Sequence, residues 1–310
     1  MQLFSLTSSM PKTSNELKGL VVTVPELIEQ QRYVPYLSMS ENRMTSDMAG
    51  DVKSVFKGRG MEFEEVREYA FGDDIRDLDW RVTARKSEPY TKVYHEEKDR
   101  EIVVLLDLSA SMIFGTKNEL KSVTAAKLTA LIGWMTLKNK DRFGLLLFDG
   151  KNTTYYKPQN NQKSLMMLFQ IIADKTHAAL KQSYEGNISS ALKMFELSHK
   201  GRGTFFILSD FYQMTAESFK NIAALAKRHQ IYCLHIFDVL EEIAPADGIY
   251  AAQNNGQKVV FNSTAEKFKT AYQQYFAAQR HQLRQNCQKF LCKYLEIRTD
   301  QPIFKQLGRI

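Results

Sequence analysis

The feature that most constrains the fold is the stretch at residues 101–112, which reads EIVVLLDLSASM. Its first half is an unbroken apolar run, rich in β-forming residues, and this run predicts a strand that is buried on both faces. The run then gives way to Asp107, Ser109 and Ser111, so the carboxyl end of the strand opens into a polar loop. Open α/β sheets bind their ligands at this end of their strands. The loop is therefore a candidate functional site.

The loop supplies one carboxylate and two hydroxyls at alternate positions of a tight turn, from Asp107, Ser109 and Ser111. Such oxygens can converge on a hard cation, Mg²⁺ or Mn²⁺, directly or through water. An Asp at a strand end followed by serines is also a common helix cap, and the motif alone favours that structural role. Metal binding gains support from a second apolar run at residues 203–209, GTFFILS, because Asp210 follows it. That run predicts a neighbouring parallel strand with its own terminal carboxylate.

Apolar runs alternate with amphipathic helical segments through the middle of the chain. This order predicts an α/β fold with a mostly parallel, Rossmann-type sheet and helices on both faces. We assign this domain to residues 98–240. A smaller β-rich segment is expected at residues 1–97, and a hairpin with a C-terminal helical extension, packed on the domain, at residues 241–310.

The composition of the chain is that of a globular protein: 310 residues, 44% hydrophobic and 25% charged, with a net charge of +7. No apolar stretch reaches the roughly 18 residues that a membrane span requires, and no signal peptide is evident, so a cytoplasmic location is expected. The three cysteines lack the spacing of metal ligands. Nucleic-acid binding is not expected, because it would rest on net charge without a recognition motif.

The segment at residues 62–85 carries many charges of both signs around one tryptophan. Three interpretations are open: a solvated lattice of surface ion pairs, a lattice that fixes the segment against the α/β domain, and a surface for a partner protein. The candidate partner-binding residues are Arg76, Asp79, Trp80, Arg81 and Arg85.

Two resemblances follow from these motifs. The chain from residue 58 onward, with its Gly-Asp-Asp, Asp-Trp and Ala-Arg motifs and the terminal stretch YLEIRTDQPIFKQL, resembles the bacterial family called domain of unknown function fifty-eight. The DLSAS and ILSD motifs resemble the metal-ion-dependent adhesion site (MIDAS) of von Willebrand factor A domains. The resemblance implies a von Willebrand A-like fold in which Asp107, Ser109, Ser111 and Asp210 share a divalent cation. The family resemblance does not bring an activity with it, because that family is defined by sequence rather than by function.

The sequence departs from the adhesion-site pattern at one position. In A domains a Gly-Thr-Asn loop supplies a threonine hydroxyl to the metal, and Gly186 stands where that threonine would be. Asn187 or Ser189 is a candidate replacement ligand, and a water molecule is another. On this basis Gly186→Thr is expected to tighten metal binding.

Three functions remain open at this point. The favoured one is a non-enzymatic interaction module whose cation binds an acidic residue of a client protein. The family resemblance implies that it acts with a MoxR-type AAA+ ATPase in protein assembly or maturation. A metal-dependent phosphohydrolase is the second, although the sequence has no phosphate loop and no HExxH motif. The third is a degenerate metal site, with partners bound through the charged N-terminal segment.

Overall fold

The computed structural model describes residues 17–36, 61–70, 78–86, 88–96, 100–212, 214–254 and 257–307. Its internal contacts divide these residues into two units. Residues 17–36 and those from 100 onward form the larger unit, and residues 61–96 belong to the smaller one.

The smaller unit contains a two-stranded antiparallel sheet and a short helix. Strand β1 (Met61–Glu68) pairs with β2 (Tyr90–Glu96), and an irregularity between Phe63 and Glu65 shifts their register. Helix α2 (Trp80–Lys86) lies between them in the chain. The smaller β-rich N-terminal segment of the predicted fold class is therefore confirmed.

A six-stranded sheet forms the centre of the larger unit, in the order β10-β7-β6-β3-β4-β5. All neighbouring strands run parallel except the edge pair β4 and β5. The central strand β3 is buried over six of its seven residues, as expected for a strand covered on both faces. The six strands are β3 (Glu101–Asp107), β4 (Arg142–Phe148), β5 (Thr153–Gln159), β6 (Gly203–Ser209), β7 (His229–Phe237) and β10 (Lys293–Arg298).

Helices cover both faces of this sheet, and the two faces bury separate cores. Val104 and Leu106 belong to one core, whereas Val103 and Leu105 belong to the other, because successive strand residues point to opposite faces. The fold class predicted from the sequence is thus confirmed. The helices of this unit are α1 (Val24–Glu29), α3 (Lys121–Lys138), α4 (Gln162–Lys181), α5 (Ser189–Ser198), α6 (Ala216–Ala226), α7 (Glu266–Lys289) and α8 (Ile303–Leu307).

Both ends of the described chain join this α/β unit. The indole nitrogen of Trp134 on α3 donates to the carbonyl of Leu27 at 3.2 Å, and the rings of Tyr33 and Phe304 stack at 4.7 Å. Strand β10 extends the central sheet by pairing with β7, and the predicted hairpin is present as β8 (Ile249–Asn254) and β9 (Gln257–Asn262). From the sequence, we assigned these end segments to regions outside the domain at residues 98–240, because pairing between distant strands leaves no local signal.

Two buried histidines lie at the amino edge of the sheet, opposite to the candidate site. The rings of His229 and His199 are 5.2 Å apart. Burial, aided by the charges of His199 and Arg228, lowers the pKa of His229 from its ordinary value of 6.5 to about 4. The folded protein therefore keeps this imidazole neutral over a pH range in which the unfolded chain protonates it.

This difference makes the stability of the protein depend on pH. Between pH 6.5 and 4 the unfolded state binds more protons than the folded state, so the free energy of unfolding falls as the pH falls through this window. We expect the His229 share of the loss to reach about 2 kcal/mol at pH 5. Urea unfolding at pH 7.5 and pH 5 measures it, with His229→Phe as a ring-preserving control that loses less stability. Equal losses in both proteins would contradict the prediction.

Candidate metal centre

Asp107 is the last residue of β3. Its carboxylate is buried, and each of its two oxygens accepts a hydrogen bond. Its Oδ1 accepts the backbone N–H of Ser109 at 2.9 Å, which closes the turn after the strand. Its Oδ2 accepts the hydroxyl of Ser209 at 2.6 Å, and Ser209 is the last residue of the neighbouring strand β6. Ser209 was not singled out in the sequence, although it directly precedes Asp210.

The other three predicted ligands lie close to one another beside Asp107. The Ser109 and Ser111 hydroxyl oxygens are 3.4 Å apart, and the Ser111 hydroxyl donates to Oδ1 of Asp210 at 3.2 Å. All four predicted residues line one small cavity of about 10 Å³, roughly the space that a single water molecule occupies. The structure therefore brings Asp107, Ser109, Ser111 and Asp210 together at the carboxyl edge of the sheet.

The two carboxylates of the site differ in their electrostatic surroundings. Burial and the neighbouring Asp210 raise the pKa of Asp107 to about 6, against the opposing effect of its hydrogen bond from Ser209. Burial acts in the same direction on Asp210, but the ammonium of Lys121 and the hydrogen bonds from the Tyr212 N–H and the Ser111 hydroxyl together keep the pKa of Asp210 below its ordinary value. Asp210 is thus held ionised by a cation that belongs to the protein.

That cation comes from a lysine that sequence reasoning missed. Lys121 is the first residue of α3, and only 2% of its side chain is exposed. Its Nζ lies 2.7 Å from Oδ2 of Asp210 and 2.8 Å from Oε1 of Glu241. Burial by itself would lower the pKa of Lys121, but the two carboxylates outweigh burial and raise it. A lysine at a helix start usually reaches solvent, so the sequence carried no signal for this role.

A third carboxylate at the same edge has a structural role. Asp238, which follows β7, is fully buried. Its oxygens accept the backbone N–H and the hydroxyl of Thr116, the N–H of Leu240 and the hydroxyl of Thr299. Asp238 therefore joins the loop after β3 to the ends of β7 and β10.

Gly186 lies on the wall of the small cavity, but the structure leaves no space for a side chain there. A Cβ atom at this position would lie 1.8 Å from the carbonyl oxygen of Gly150. The loop also contacts the site through Tyr184, whose carbonyl accepts the N–H of Ala110 at 2.9 Å. The expectation that Gly186→Thr tightens metal binding therefore lacks the space that a threonine side chain needs, because two loops approach each other at this glycine.

The two candidate replacement ligands, Asn187 and Ser189, contact Ser218. Asn187 Oδ1 accepts the hydroxyl of Ser218 at 2.8 Å, and the hydroxyls of Ser189 and Ser218 lie 2.5 Å apart. These contacts join the start of α5 to α6. The cavity is lined by Gly186 and Ile188 from this loop, so the structure does not bring Asn187 or Ser189 to the predicted site.

The donor set fits a hard cation. Carboxylate and hydroxyl oxygens are the ligands that Mg²⁺ and Mn²⁺ prefer, and four such side chains surround a cavity of ionic size. Within the described ranges, no three His, Cys, Asp or Glu side chains are grouped so as to hold a metal ion. A metal at this position would therefore depend on Ser109 and Ser111 as well as on Asp107 and Asp210.

A wider groove of about 340 Å³ adjoins the small cavity, and Asp210, Phe211, Tyr212 and Met214 line both. The rest of its wall comes mainly from α7, including Tyr275 and the neighbouring Phe276. Tyr212 and Tyr275 are about half exposed. An aromatic surface thus lies directly beside the oxygen-lined cavity.

The predicted partner-binding residues of the N-terminal segment belong to the smaller unit. Arg76 lies outside the described residues. Asp79 accepts the backbone N–H groups of Arg81 and Val82 and so caps α2. Trp80 is 68% exposed, and Arg81 and Arg85 are exposed on the same helix. A tryptophan with two arginines is therefore accessible on this helix.

The chain is similar to an uncharacterized protein and to two solved structures. Uncharacterized protein Rv1480 of Mycobacterium tuberculosis is 26% identical over 220 residues, which cover 71% of this chain and 68% of that protein. The solved structure of BatB from Bacteroides thetaiotaomicron, a conserved hypothetical protein, is 17% identical with a TM-score of 0.45, covering 68% of this chain and 96% of BatB. The SpRpn10 VWA domain is 14% identical with a TM-score of 0.34, covering 68% and 94%.

No helix in the described part of the chain combines the length and the apolar character that crossing a membrane would need. The family model described as "Protein of unknown function DUF58" matches residues 65–282, which is more than half of the chain. The match includes α2, β3, the strand-end loops and most of α7. The family resemblance drawn from the sequence motifs is thereby confirmed. The chain belongs to the DUF58 family of proteins of unknown function.

Proposed function

We propose that this protein is a non-enzymatic interaction module that binds a partner protein through a divalent cation at the strand-end site. The observation that carries the proposal is the convergence of Asp107, Ser109, Ser111 and Asp210 on one small cavity at the carboxyl edge of the sheet. These residues would hold Mg²⁺ or Mn²⁺ and leave part of its coordination shell to water. A carboxylate of the partner can replace that water.

The groove next to the cavity supports a protein as the ligand. A partner whose acidic side chain reaches the cation would place its neighbouring residues over Tyr212 and Tyr275. Exposed aromatic residues beside a polar anchor are typical of protein interfaces. We further propose, from the family resemblance, that the module acts with a MoxR-type AAA+ ATPase in protein assembly or maturation.

The phosphohydrolase alternative has less support. His235 lines the groove, but burial lowers its pKa to about 3, and its Nδ1 lies 2.8 Å from the hydroxyl of Tyr294. A general base works best with a pKa near the operating pH. His235 is therefore poorly suited to activate a water molecule at this site.

The proposed site predicts saturable Mg²⁺ binding that Asp107→Ala abolishes, because the variant removes one of the two carboxylates that line the cavity. Isothermal titration calorimetry with Mg²⁺ measures this loss. Asp149→Ala is the matched control: Asp149 follows the adjacent strand β4, and its carboxylate accepts the N–H groups of Lys151 and Asn152 in its own turn. Equal Mg²⁺ affinity in the parent protein and Asp107→Ala would overturn the proposed site.

The same variants test the function. Tagged protein, exposed to an extract of its native host with Mg²⁺, should retain a MoxR-type ATPase or a client, identified by mass spectrometry, and should release it into EDTA. Asp107→Ala should fail to retain it, while Asp149→Ala behaves as the parent.

The exposed side chains of Trp80, Arg81 and Arg85 favour one further candidate, partner binding through the N-terminal helix with no role for a cation. The double charge reversal Arg81→Glu with Arg85→Glu separates the two functions in the same experiment. Capture that survives EDTA and Asp107→Ala but fails after the charge reversal would assign the interface to α2 and overturn the cation-dependent proposal.

A further inference from the structure

One carboxylate at the proposed site faces two different environments. Oδ1 of Asp210 accepts the hydroxyl of Ser111 at 3.2 Å, on the side of the proposed ligands. Oδ2 lies 2.7 Å from the ammonium of Lys121, on the other side. Asp210 therefore stands between the cavity and a buried positive charge.

The ammonium of Lys121 is buried and is held in place by two carboxylates. An unpaired ammonium inside a protein is strongly unfavourable, so Lys121 depends on its two carboxylate partners, Asp210 and Glu241. The side chain has almost no exposed surface through which water could screen its charge. Water therefore screens its charge very little, although Asp210 and Glu241 offset part of it.

We propose that Lys121 is an internal counter-cation that weakens divalent-cation binding at the Asp107–Asp210 site, so that the cation is retained firmly only when an anionic oxygen of the partner completes its shell. This inference rests on the proposed function and adds to it a residue, Lys121, that sets the affinity of the site for the cation. The ammonium withdraws charge from Asp210 and repels a cation on the far side of that carboxylate. A partner carboxylate restores the missing negative charge, so cation and partner bind cooperatively.

Glu241 offsets part of the positive charge of Lys121. It shares the ammonium with Asp210, and its other oxygen accepts the backbone N–H of Asp238 at 2.8 Å. Without the charge of Glu241, the ammonium would neutralise Asp210 more completely. Removal of Lys121 and removal of the Glu241 charge should therefore change Mg²⁺ affinity in opposite directions.

The test is calorimetric titration of the full chain with Mg²⁺ alone and with Mg²⁺ in the presence of sodium acetate, a stand-in for the partner's carboxylate. Lys121→Met should bind Mg²⁺ roughly tenfold or more tightly than the parent, and Glu241→Gln several-fold more weakly. Acetate should tighten Mg²⁺ binding in the parent more than in Lys121→Met. Lys127→Met, which removes a lysine of the same helix paired with Glu119, should leave the affinity unchanged.

Thermal unfolding supplies a second readout. Lys121→Met should melt at a lower temperature than the parent without Mg²⁺, because the buried carboxylate of Asp210 and the partly buried one of Glu241 lose their partner, and should gain more from added Mg²⁺. If Lys121→Met does not fold, the weaker binding expected of Glu241→Gln decides the question.

The outcomes separate this inference from the proposed function. Parent binding that Asp107→Ala abolishes, together with unchanged affinity in Lys121→Met and Glu241→Gln, would overturn the role of Lys121 and leave the metal site standing. Absence of Mg²⁺ binding in both the parent and Lys121→Met would overturn the metal site and the inference together.

Discussion

Gly186→Thr is expected to destabilise the protein by about 3–5 kcal/mol, the range of severe steric and backbone effects. A Cβ at this position would overlap the carbonyl oxygen of Gly150 at 1.8 Å, and that oxygen belongs to the backbone, which cannot rotate away as a side chain does. Gly150 has a φ of +90°, and a Cβ added there would lie 2.0 Å from the carbonyl oxygen of Tyr184, so Gly150 has no free space into which it could move. Urea unfolding measures the loss.

The control for this prediction is Gly248→Thr. A Cβ at Gly248 would lie 3.4 Å from the ring of Tyr250, an ordinary contact distance, so the same substitution there should cost far less stability. A Gly186→Thr protein with the parent's stability and tighter Mg²⁺ binding would show that the two loops can separate. That result would restore the threonine as a ligand.

Asp238→Ala is expected to reduce the free energy of unfolding by about 4 kcal/mol, because it leaves the buried hydroxyl of Thr299 and the partly buried donors of Thr116 and Leu240 without an acceptor. The N–H and hydroxyl of Thr116 lie 3.0 and 2.5 Å from this carboxylate, and the hydroxyl of Thr299 lies 2.9 Å away. The loop after β3 would lose its anchor to β7 and β10. Chemical denaturation, followed by circular dichroism, gives the difference.

Thr299→Val serves as the comparison for Asp238→Ala. It removes a single hydrogen bond to the same carboxylate and keeps the shape of the side chain, so it should cost about 1 kcal/mol. Similar losses in the two variants would mean that the carboxylate does not act as the shared anchor of these elements.

The predicted site residues came together because their positions follow from strand pattern alone. Two apolar runs of strand length were each followed by an aspartate, Asp107 in one case and Asp210 in the other. In a parallel sheet, both ends must lie at the same edge. The prediction needed only the period of the strands and the parallel connection, and both are local or topological rules.

The same reasoning could not predict which charges pair at the site. Lys121 pairs with residues that lie 89 and 120 positions away in the chain. A lysine near apolar residues of a helix predicts a solvated head group, and nothing in the helix signals its two distant carboxylates. The steric restriction at Gly186 was equally unpredictable. The sequence shows that a threonine is missing there, but it does not show that the backbone of Gly150 packs against this position.

The sequence by itself determined the α/β fold, the edge of the sheet where the site lies, and the oxygen-donating side chains that face the cavity, because each depends on hydrophobic period and strand-end chemistry. Only the tertiary structure decided that Asp210 is shared with Lys121, that Asp238 anchors the loops, and that Gly186 excludes a side chain. The physical reason is that electrostatic pairing and steric exclusion depend on distances of a few ångströms between residues far apart in the chain. Those distances exist only after the sheet and its loops have assembled.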